Sequence, residues 1–372
     1  MKHIRIAIAG IGNCASALVQ GIAFYGDNSP KRTVGLIHET IGPWACSDIE
    51  IVAAFDIDRR KVGRPIEEAI FAKPNCTKEF VKRLPPSDVR VQMGPILDGV
   101  APHMIDAKDE DTFQPAEGAP VDVCAVLQEA RAEILVCYLP VGSEQAVLHY
   151  AQACLDASVA MVNCVPVFLA SNPSWAEKFR DAGIPLIGDD IKSQLGATIL
   201  HRTLASLFAA RGVSVDRTYQ LNTGGNTDFR NMLASDRLSS KKHSKTESVQ
   251  SQLPQRLSTT DIHVGPSDYI RWLSDEKICF MRLEGRGFGD LPVEIELRLS
   301  VEDSPNSAGV VIDAIRCAKL AVDRGLSGPI EAVSAWYMKS PPRQISDSLA
   351  HDLCEAFIRG DGKGGNASVV DT

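Results

Sequence analysis

The sequence lacks the features that mark membrane proteins and nucleic-acid-binding proteins. None of its apolar runs reaches the roughly 20 residues that a helix needs to cross a bilayer. Acidic residues outnumber basic ones, 47 to 39, and the formal net charge is −8. Such a chain offers no basic surface of the kind that attracts nucleic acid or an anionic membrane. We therefore expect neither nucleic acid nor a membrane among its partners.

The ten cysteines show no pattern of metal or disulfide chemistry. They are scattered, no C-x-x-C pair occurs, and no spacing of histidine and cysteine matches a zinc site. The sequence therefore predicts no metal site and no disulfide framework, which favours a reducing, cytoplasmic location. The first segment, MKHIRIAIAG, resembles a signal peptide in its basic start, but its short apolar run ends in a glycine turn without a cleavage site and predicts a strand.

The first motif is a strand, a glycine turn and a helix. Ile4–Ala9 is a β-branched apolar run that stops at a G-x-G-x-x-A sequence, after which apolar residues recur at helical spacing. Glycine lets the backbone turn tightly and approach a pyrophosphate, which the amides and dipole at the helix N-terminus stabilise. The pattern predicts a dinucleotide site that includes Gly10, Gly12, Asn13 and Cys14.

A dinucleotide site of this kind needs an acidic residue at the end of the second strand to hold the ribose hydroxyls. Residues 50–56 are the next strand and end at Asp56, so residues 24–48 are predicted to be an insertion rich in turn residues. Asp56 favours NAD because its charge repels the 2′-phosphate of NADP. The basic residues 59–61 follow directly and could accommodate that phosphate, so NADP stays open.

After a proline-rich segment with one predicted strand, residues 71–120, strands and helices alternate regularly. The predicted strands are residues 89–93, 133–139, 159–164, 184–187, 214–221, 278–283, 293–301 and 333–338. The predicted helices are residues 144–157, 174–182, 306–324 and one that runs to residue 210. Strands that alternate with helices predict an α/β fold with a parallel sheet covered on both faces. The one-sided apolar pattern of residues 293–301 needs a cover, either the chain's own helices or a second subunit.

The segment GDDIKSQLGAT, residues 188–198, follows a predicted strand, where open parallel sheets place their ligands. Four of its residues are too polar for a buried junction without a purpose: Asp189, Asp190, Lys192 and Ser193. Capping of the next helix by Ser193 or Asp190 is one explanation. A phosphate is the other, and it would be held by Ser193, Gly196 and Thr198.

A dense group of lysines follows a glycine turn near residues 222–226. Lys241, Lys242 and Lys245 lie within five residues and would repel one another unless an anion lay between them. A solvated charge run is the alternative explanation. The preceding asparagines and glycines favour positive φ and close backbone approach, which indicates a built turn instead.

Seven segments, in their order and spacing, resemble the myo-inositol-1-phosphate synthase family in its shorter prokaryotic form: GDDIKSQLGAT, LNTGGNTDFRNM, SKKHSKT, GPSDY, RLEGRGFGD, EDSPNSAGVVIDAIRCAKLA and MKSPP. The resemblance extends over nearly the whole chain, from GIGNCAS to MKSPP. It implies a Rossmann-type NAD-binding domain, residues 1–195 and 305–360, with an inserted α+β catalytic and oligomerisation domain, residues 196–304. Residues 361–372 are predicted to be a disordered tail.

The resemblance also implies a reaction. Such enzymes convert D-glucose 6-phosphate into 1L-myo-inositol 1-phosphate, also named 1D-myo-inositol 3-phosphate. They oxidise C5 with NAD, enolise C6, close the ring onto C1 by an aldol step and reduce the ketone again. The expected partners are glucose 6-phosphate and further copies of the chain in a homotetramer. Some members use a divalent cation near the phosphate, although no ligand cluster in this sequence demands one.

Motif matching carries the family's site residues onto this chain. Its active-site lysines correspond to Lys241, Lys245, Lys277 and Lys339, and a lysine suits a phosphate, an enolate or an aldehyde oxygen because its ammonium is a compact charge. Lys245 and Ser193 are assigned mainly to the phosphate, and further phosphate contacts are predicted at Lys192, Gly196, Thr198 and Asn226. Lys277 and Lys339 are assigned to the enolate and carbonyl oxygens, and Lys241 to the nicotinamide side. The matching polar residues that orient cofactor and substrate are Asp190, Asn226, Asp228 and Asp303. Further cofactor contacts are predicted at Ala130, Ser143 and Tyr150, and a core role is the alternative for Ala130 and Tyr150.

Two other functions stay open at this point. The first is an ordinary sugar-phosphate dehydrogenase on the same fold, which would release NADH. The second is a protein that binds NAD(H) without catalysis, as a sensor or scaffold. A descendant without catalysis would be expected to have lost some of the four lysines, whereas all four are present.

Overall fold

The computed structural model describes residues 3–26, 33–105, 107, 109–233 and 239–361, apart from the side chains of residues 109, 239–243, 266 and 267. In chain order, the strands are β1 (Ile4–Ala9), β2 (Thr40–Ile41), β3 (Trp44–Ala45), β4 (Ile49–Asp56), β5 (Val91–Met93), β6 (Ile134–Cys137), β7 (Ala160–Asn163), β8 (Pro185–Ile187), β9 (Arg217–Gly224), β10 (Ile262–Tyr269), β11 (Glu276–Arg286), β12 (Pro292–Glu302) and β13 (Gly328–Pro329). The helices are α1 (Asn13–Gly26), α2 (Ile66–Ala69), α3 (Pro102–Ile105), α4 (Val123–Glu129), α5 (Glu144–Ala157), α6 (Pro173–Asp181), α7 (Ala197–Ala210), α8 (Thr227–Asn231), α9 (Ser239–Gln250), α10 (Asp303–Asp323), α11 (Glu331–Tyr337) and α12 (Asp347–Arg359).

Seven strands form a parallel sheet in the order β13-β8-β7-β6-β1-β4-β5. Strand β1 lies between β4 and β6, so that Ala9 pairs with Phe55 on one side and with Cys137 on the other. Its apolar residues are fully buried, as expected for strands that helices cover on both faces. The chain passes from β5, at one edge, to β6, beside β1, and such a change of direction is where open parallel sheets bind ligands.

Four strands form a second, mixed sheet in the order β10-β9-β11-β12. One face of this sheet packs on α7, where Phe208 meets Cys279, Met281 and Leu283. The apolar residues of β12 belong to the same cluster. The chain's own helix therefore covers part of the apolar face that the sequence predicts for residues 293–301, and the apolar side chains of β12 remain half-buried.

Helix α10 carries buried charges that connect it to the segment after α1. Asp313 and Arg316 are fully buried and pair through Oδ1 and Nη2 at 2.5 Å. Arg316 also donates to the carbonyl oxygen of His38, and the His38 ring contacts Asp313. The predicted insertion is thus anchored to the core. No helix within the described ranges combines the length and the apolar composition of a membrane span.

The predicted α/β class with a parallel sheet is confirmed. The predicted strands up to residue 301 and the predicted helices lie within a few residues of observed elements. The division into domains stays a prediction, and most of the predicted tail, residues 362–372, lies outside the described residues.

The prediction of a last strand at residues 333–338 is wrong. This segment belongs to helix α11, which ends at Tyr337. Val333 and Tyr337, four residues apart, are both buried and share one helix face. A short apolar run does not distinguish a buried strand from a buried helix by periodicity.

Candidate active site

A cleft opens at the carboxyl ends of the parallel strands, where the second sheet meets the first. It encloses about 1320 Å³ of empty space, counted out to the open solvent at its mouth. The glycine turn after β1, residues 190–199 after β8, the turn before α8 and the N-terminus of α10 all contribute to its lining. Segments that are far apart in the sequence therefore meet at one place.

Three of the four predicted active-site lysines line this cleft: Lys245, Lys277 and Lys339. Lys277 Nζ donates to Asp303 Oδ1 at 3.0 Å, and Lys339 Nζ donates to Asp190 Oδ1 at 2.9 Å. Lys245 is only 5% exposed. This burial argues against a solvated charge run. Asp190, Asp228 and Asp303 line the same cleft, so the lysines provide local cationic groups within a mixed-charge lining.

The fourth lysine, Lys241, lies in α9, one helical turn before Lys245. Its side chain falls outside the described residues. Its predicted role on the nicotinamide side therefore stays a prediction.

Asp190 joins three segments of the site. Its side chain accepts from Lys339 through Oδ1 and from the Ser244 hydroxyl, in α9, through Oδ2 at 2.9 Å. Its carbonyl oxygen accepts from the Lys339 amide at 2.7 Å. The residue has a left-handed backbone, with φ of 62°, which is uncommon outside glycine. Asp190 is therefore placed to hold the Lys339 ammonium at the cleft.

The start of α7 fits an anion. Gly196 is the N-cap residue and makes no side-chain capping bond, so neither Ser193 nor Asp190 caps this helix. Ser193, Gly196 and Thr198 all line the cleft. A helix N-terminus without a side-chain cap offers amide groups and a positive dipole end to a phosphate.

Lys192 does not reach the cleft. Its side chain is buried on the other side of the segment, where Nζ donates to the Ala335 carbonyl oxygen at 2.9 Å and to Asp347 at 3.2 Å. Burial and the neighbouring Arg202 charge lower its pKa to about 8. Because successive side chains in an extended segment point in opposite directions, Ser193 faces the cleft and Lys192 faces away. The predicted phosphate contact of Lys192 is not supported by this placement.

Asn226 holds the turn in shape. Its Oδ1 accepts from the amides of Asp228 and Phe229, at 3.1 and 3.2 Å, and so caps α8. Its Nδ2 donates to Asp275 at 3.0 Å. At Gly225 a Cβ would lie 2.5 Å from the Ile270 carbonyl oxygen, so this position needs glycine. The turn is therefore built, as predicted, and both polar ends of Asn226 already bind the protein.

Asp275 was not predicted from the sequence, although it stands two residues before Lys277. It is 1% exposed and accepts from Asn226 Nδ2 and from the Ser304 hydroxyl, the latter at 2.9 Å. Burial and the charge of Asp303 raise its pKa to about 7. Asp275 thus joins the turn before α8, the start of β11 and the start of α10.

The glycine turn has room for a diphosphate. At Gly10, where φ is 92°, a Cβ would lie 2.7 Å from the Tyr138 carbonyl oxygen, whereas at Gly12 it would meet no atom within 4 Å. Gly12, Asn13 and Cys14 line the cleft. Burial and the nearby carboxylates raise the pKa of Cys14 to about 12, so its thiol is neutral and is no nucleophile.

Asp56 ends β4, as the fingerprint requires, and its carboxylate supports the glycine turn. Its Oδ2 accepts from the Ile11 amide at 2.7 Å, and its Oδ1 accepts from the amides of Ile57 and Asp58. Lys61 is 1% exposed and donates to the Ile11 carbonyl oxygen, while Arg60 is bonded to Asp58. Arg60 and Lys61 are therefore committed to the protein, whereas Arg59 is exposed and donates to the neutral Gln114 side chain. The preference for NAD over NADP stays a prediction.

Five predicted cofactor residues are absent from the cleft lining: Gly10, Asp56, Ala130, Ser143 and Tyr150. Ala130 follows α4, and its carbonyl oxygen accepts from Arg5. Tyr150 is 2% exposed and packs against Phe55, so the core alternative fits it better. Ser143 is buried at the N-cap position of α5. Asp228 and Asp303, by contrast, both line the cleft.

Metal ligands are not grouped in the part of the chain that the structure describes. Within it, no three His, Cys, Asp or Glu side chains are arranged to hold an ion. The carboxylates nearest the cleft are engaged with lysines instead, as in the pairs of Asp190 with Lys339 and of Asp303 with Lys277.

A doubly wound parallel sheet with a glycine turn after its first strand defines a Rossmann-type protein, here with an anion-attracting cleft beside the turn. The sequence profile of the family described as myo-inositol-1-phosphate synthase matches residues 196–304. The inositol-3-phosphate synthase of Mycolicibacterium smegmatis is 54% identical over 363 residues, which cover 96% of this chain and 98% of that protein. The chain belongs to the myo-inositol-1-phosphate synthase family.

Two further similarities agree with this assignment. The inositol-3-phosphate synthase of Corynebacterium glutamicum is 52% identical, over 95% of this chain and 98% of its own length. The crystal structure of a myo-inositol-1-phosphate synthase-related protein from Thermotoga maritima has a TM-score of 0.81, covering 96% of this chain and 98% of that one, at 24% identity. That structure supports the fold alone.

Proposed function

We propose that this protein converts D-glucose 6-phosphate into 1L-myo-inositol 1-phosphate, with NAD that is regenerated in each turnover. The observation that carries the proposal is the convergence of Lys245, Lys277 and Lys339, from distant segments, on one cleft beside a glycine turn. Asp303 and Asp190 hold the ammonium groups of Lys277 and Lys339 at the cleft, where all three lysines can bind the oxygens of an anionic ligand. The family membership supplies the identity of that anion.

The dinucleotide would lie on the glycine turn. The open space at Gly12 and the tight approach of Gly10 to Tyr138 suit a pyrophosphate, and the residues that would hold it are Gly10, Gly12, Asn13 and Cys14. When bound there, NAD would supply the hydride acceptor for the oxidation at C5 and, as NADH, the hydride donor for the final reduction. A divalent cation near the phosphate stays a prediction from the family resemblance, and activity in the presence of a chelator tests it.

The substrate phosphate would lie at the start of α7. Ser193, Gly196 and Thr198 present a hydroxyl and backbone amides there, and Lys245 adds a positive charge from α9. Charge-assisted hydrogen bonds of this kind are among the stronger ones in proteins. They would fix one end of the substrate while its other carbons react.

Lys277 and Lys339 would act on the oxygens that gain charge. After oxidation at C5, removal of a proton from C6 places negative charge on the C5 oxygen. The C6 to C1 bond then forms, and the electron pair of the C1 carbonyl moves onto its oxygen. An ammonium group near each oxygen stabilises this charge and can supply the proton. Asp303 and Asp190 hold the two ammonium groups in position.

A sugar-phosphate dehydrogenase is distinguished by its cofactor balance. With excess NAD and glucose 6-phosphate, we expect phosphorylated product to accumulate without a stoichiometric rise of absorbance at the NADH wavelength. A rise that matches product formation would assign the protein to the dehydrogenases instead.

We further propose a homotetramer in the cytoplasm. The outward face of the mixed sheet supports the assembly, since Phe280 is 46% exposed there beside half-buried Leu221 and Ile278. All ten cysteines are free thiols, which fits a reducing compartment. Light scattering that gave the mass of a single chain at micromolar concentration would contradict the assembly.

A further inference from the structure

The Tyr138 hydroxyl is a buried polar group without a hydrogen-bond partner among the described residues. Tyr138 follows β6 directly, and it lines the cleft. A phenol can donate one hydrogen bond and accept others. Buried polar groups in native proteins almost always have a partner, and an exception needs an explanation such as a ligand.

The position of Tyr138 in the cleft separates it from the other unpartnered groups. Five other buried side-chain atoms lack a partner in the described part of the chain: Glu67 Oε2, Asn163 Oδ1, Asn231 Oδ1, Arg316 Nε and Trp336 Nε1. None of the residues that carry them lines the cleft. Of the set, Tyr138 alone is placed where a ligand could complete its hydrogen bonding.

The topology assigns Tyr138 to one half of a dinucleotide. Its amide donates to the Ala9 carbonyl oxygen at 2.8 Å, so the residue lies beside the glycine turn. In a doubly wound sheet the dinucleotide spans the point where the strand order reverses. The adenosine lies on the side of β4, which ends at Asp56, and the nicotinamide nucleoside therefore lies on the side of β6 and β7.

The residues around the Tyr138 ring also place it on the side of β6 and β7. Burial raises the pKa of the Tyr138 phenol well above its usual value, and the neighbouring thiols of Cys164 and Cys14 act in the same direction. The ring therefore lies near the end of β7 and the start of α1. A phenol in such a place keeps its proton and can act as a donor.

We propose that Tyr138 is a cofactor-binding residue whose hydroxyl donates a hydrogen bond to the nicotinamide nucleoside of NAD. This inference rests on the NAD site proposed above and adds a residue to it. The hydroxyl loses its contact with water on folding and regains a partner only when the dinucleotide binds. Its hydrogen bond therefore contributes to cofactor affinity and not to the stability of the ligand-free protein.

The test compares Tyr138→Phe with the wild type in the binding of NADH and of ADP, which lacks the nicotinamide nucleoside. Loss of one buried hydrogen bond is expected to raise the Kd for NADH about tenfold. The Kd for ADP is expected to stay within about twofold. The melting temperature of the ligand-free variant should equal or exceed that of the wild type, because the variant buries no unpartnered hydroxyl.

Tyr25→Phe is the matched control. The Tyr25 hydroxyl donates to the Val34 carbonyl oxygen at 2.8 Å, and Tyr25 does not line the cleft. This variant should leave both dissociation constants unchanged.

The outcomes separate the inference from the proposed function. Wild-type NADH affinity in Tyr138→Phe would overturn the inference and leave the NAD site standing. Equal losses for NADH and ADP would also overturn it, since the hydroxyl would then act on the adenosine half or on the fold. A wild-type protein that bound no NADH at all would overturn both proposals.

Discussion

Each described lysine at the cleft has a distinct setting. Lys277 and Lys339 are each paired with a carboxylate, Asp303 and Asp190, whereas Lys245 is buried beside the proposed phosphate position. A carboxylate partner fixes where an ammonium group points, and a buried cation near a helix N-terminus favours a ligand of high negative charge.

Lys245→Ala tests the phosphate assignment. We expect the turnover number divided by KM for glucose 6-phosphate to fall by orders of magnitude, because the substrate loses a direct ionic contact. Folding should remain nearly intact, as judged by circular dichroism and urea unfolding. Lys178→Ala is the control, since this lysine lies over the Trp175 ring in α6 and should change activity by less than about twofold. A wild-type rate for Lys245→Ala would exclude Lys245 from the site.

Asp275→Asn tests the buried carboxyl through the pH dependence of stability. Burial and the Asp303 charge raise the Asp275 pKa to about 7 from a usual value of 3.8. Between these values the unfolded chain releases the proton first, so the free energy of unfolding should fall as pH rises from about 4 to about 7. At about 1.4 kcal/mol for each pKa unit, this loss amounts to a few kcal/mol.

Urea unfolding of the wild type and of Asp275→Asn at several pH values gives the slope of the free energy of unfolding against pH for each protein. Asparagine keeps the shape of the side chain but does not ionise. The free energy of unfolding of the variant should therefore fall less between about pH 4 and about pH 7 than that of the wild type. Asp189, whose pKa is also raised by burial, to about 6, is present in both proteins and cancels. Parallel pH profiles for the two proteins would refute a raised Asp275 pKa.

At the residue level, the sequence predicted the lysines of the cleft because their motifs are specific. It could not reveal Asp275 or Tyr138, since burial and the absence of a partner arise only when distant segments pack together. Lys192 was assigned to the phosphate because it stands in the right segment. The backbone conformation decides which side chains of this segment face the cleft. It places Ser193 at the cleft and turns Lys192 away from it.

Among the elements, α7 connects the proposed phosphate site to the rest of the protein. Its Arg202 is 1% exposed, and the guanidinium donates to both oxygens of Asp347, at the start of α12, and to the Ser248 carbonyl oxygen in α9. One side chain thus holds three helices together. A buried pair of this kind resists the removal of either partner.

Arg202→Met is expected to destabilise the protein by about 3 to 5 kcal/mol, because Asp347 and the Ser248 carbonyl oxygen lose their main donor. Arg217→Met is the control. Arg217 pairs with Glu284 at an exposed position, and such pairs contribute about 1 kcal/mol or less. Urea unfolding of both variants measures the difference. Equal and small losses would show that Arg202 does not join the helices.

The elements themselves were largely predictable. Parallel strands such as β1, β4 and β6 are short segments rich in apolar and β-branched residues, and the glycine turn is visible in the sequence. Helix α11 was mistaken for a strand because its apolar run is short. The packing of α7 near β12 could not be predicted, because the apolar pattern of a strand does not show which helix packs against it.

For the whole molecule, the arrangement of the two sheets explains how one cleft can serve a reaction without net oxidation. The glycine turn and Tyr138 follow strands of the parallel sheet, while Lys277 is the second residue of a strand of the mixed sheet and Asp303 follows another. Cofactor and substrate would therefore lie between the sheets, where the intermediate stays beside the cofactor until the ketone is reduced. The lysines of the cleft supply the local positive charge that binds a phosphate, in a chain whose net charge is −8.

The most direct test of this account is phosphorus and proton NMR of glucose 6-phosphate incubated with the purified protein and substoichiometric NAD. We predict inositol phosphate over many turnovers for each NAD present, with no accumulation of NADH. Product that stopped at one equivalent of NAD, or unchanged substrate in a protein shown to bind NAD, would contradict it.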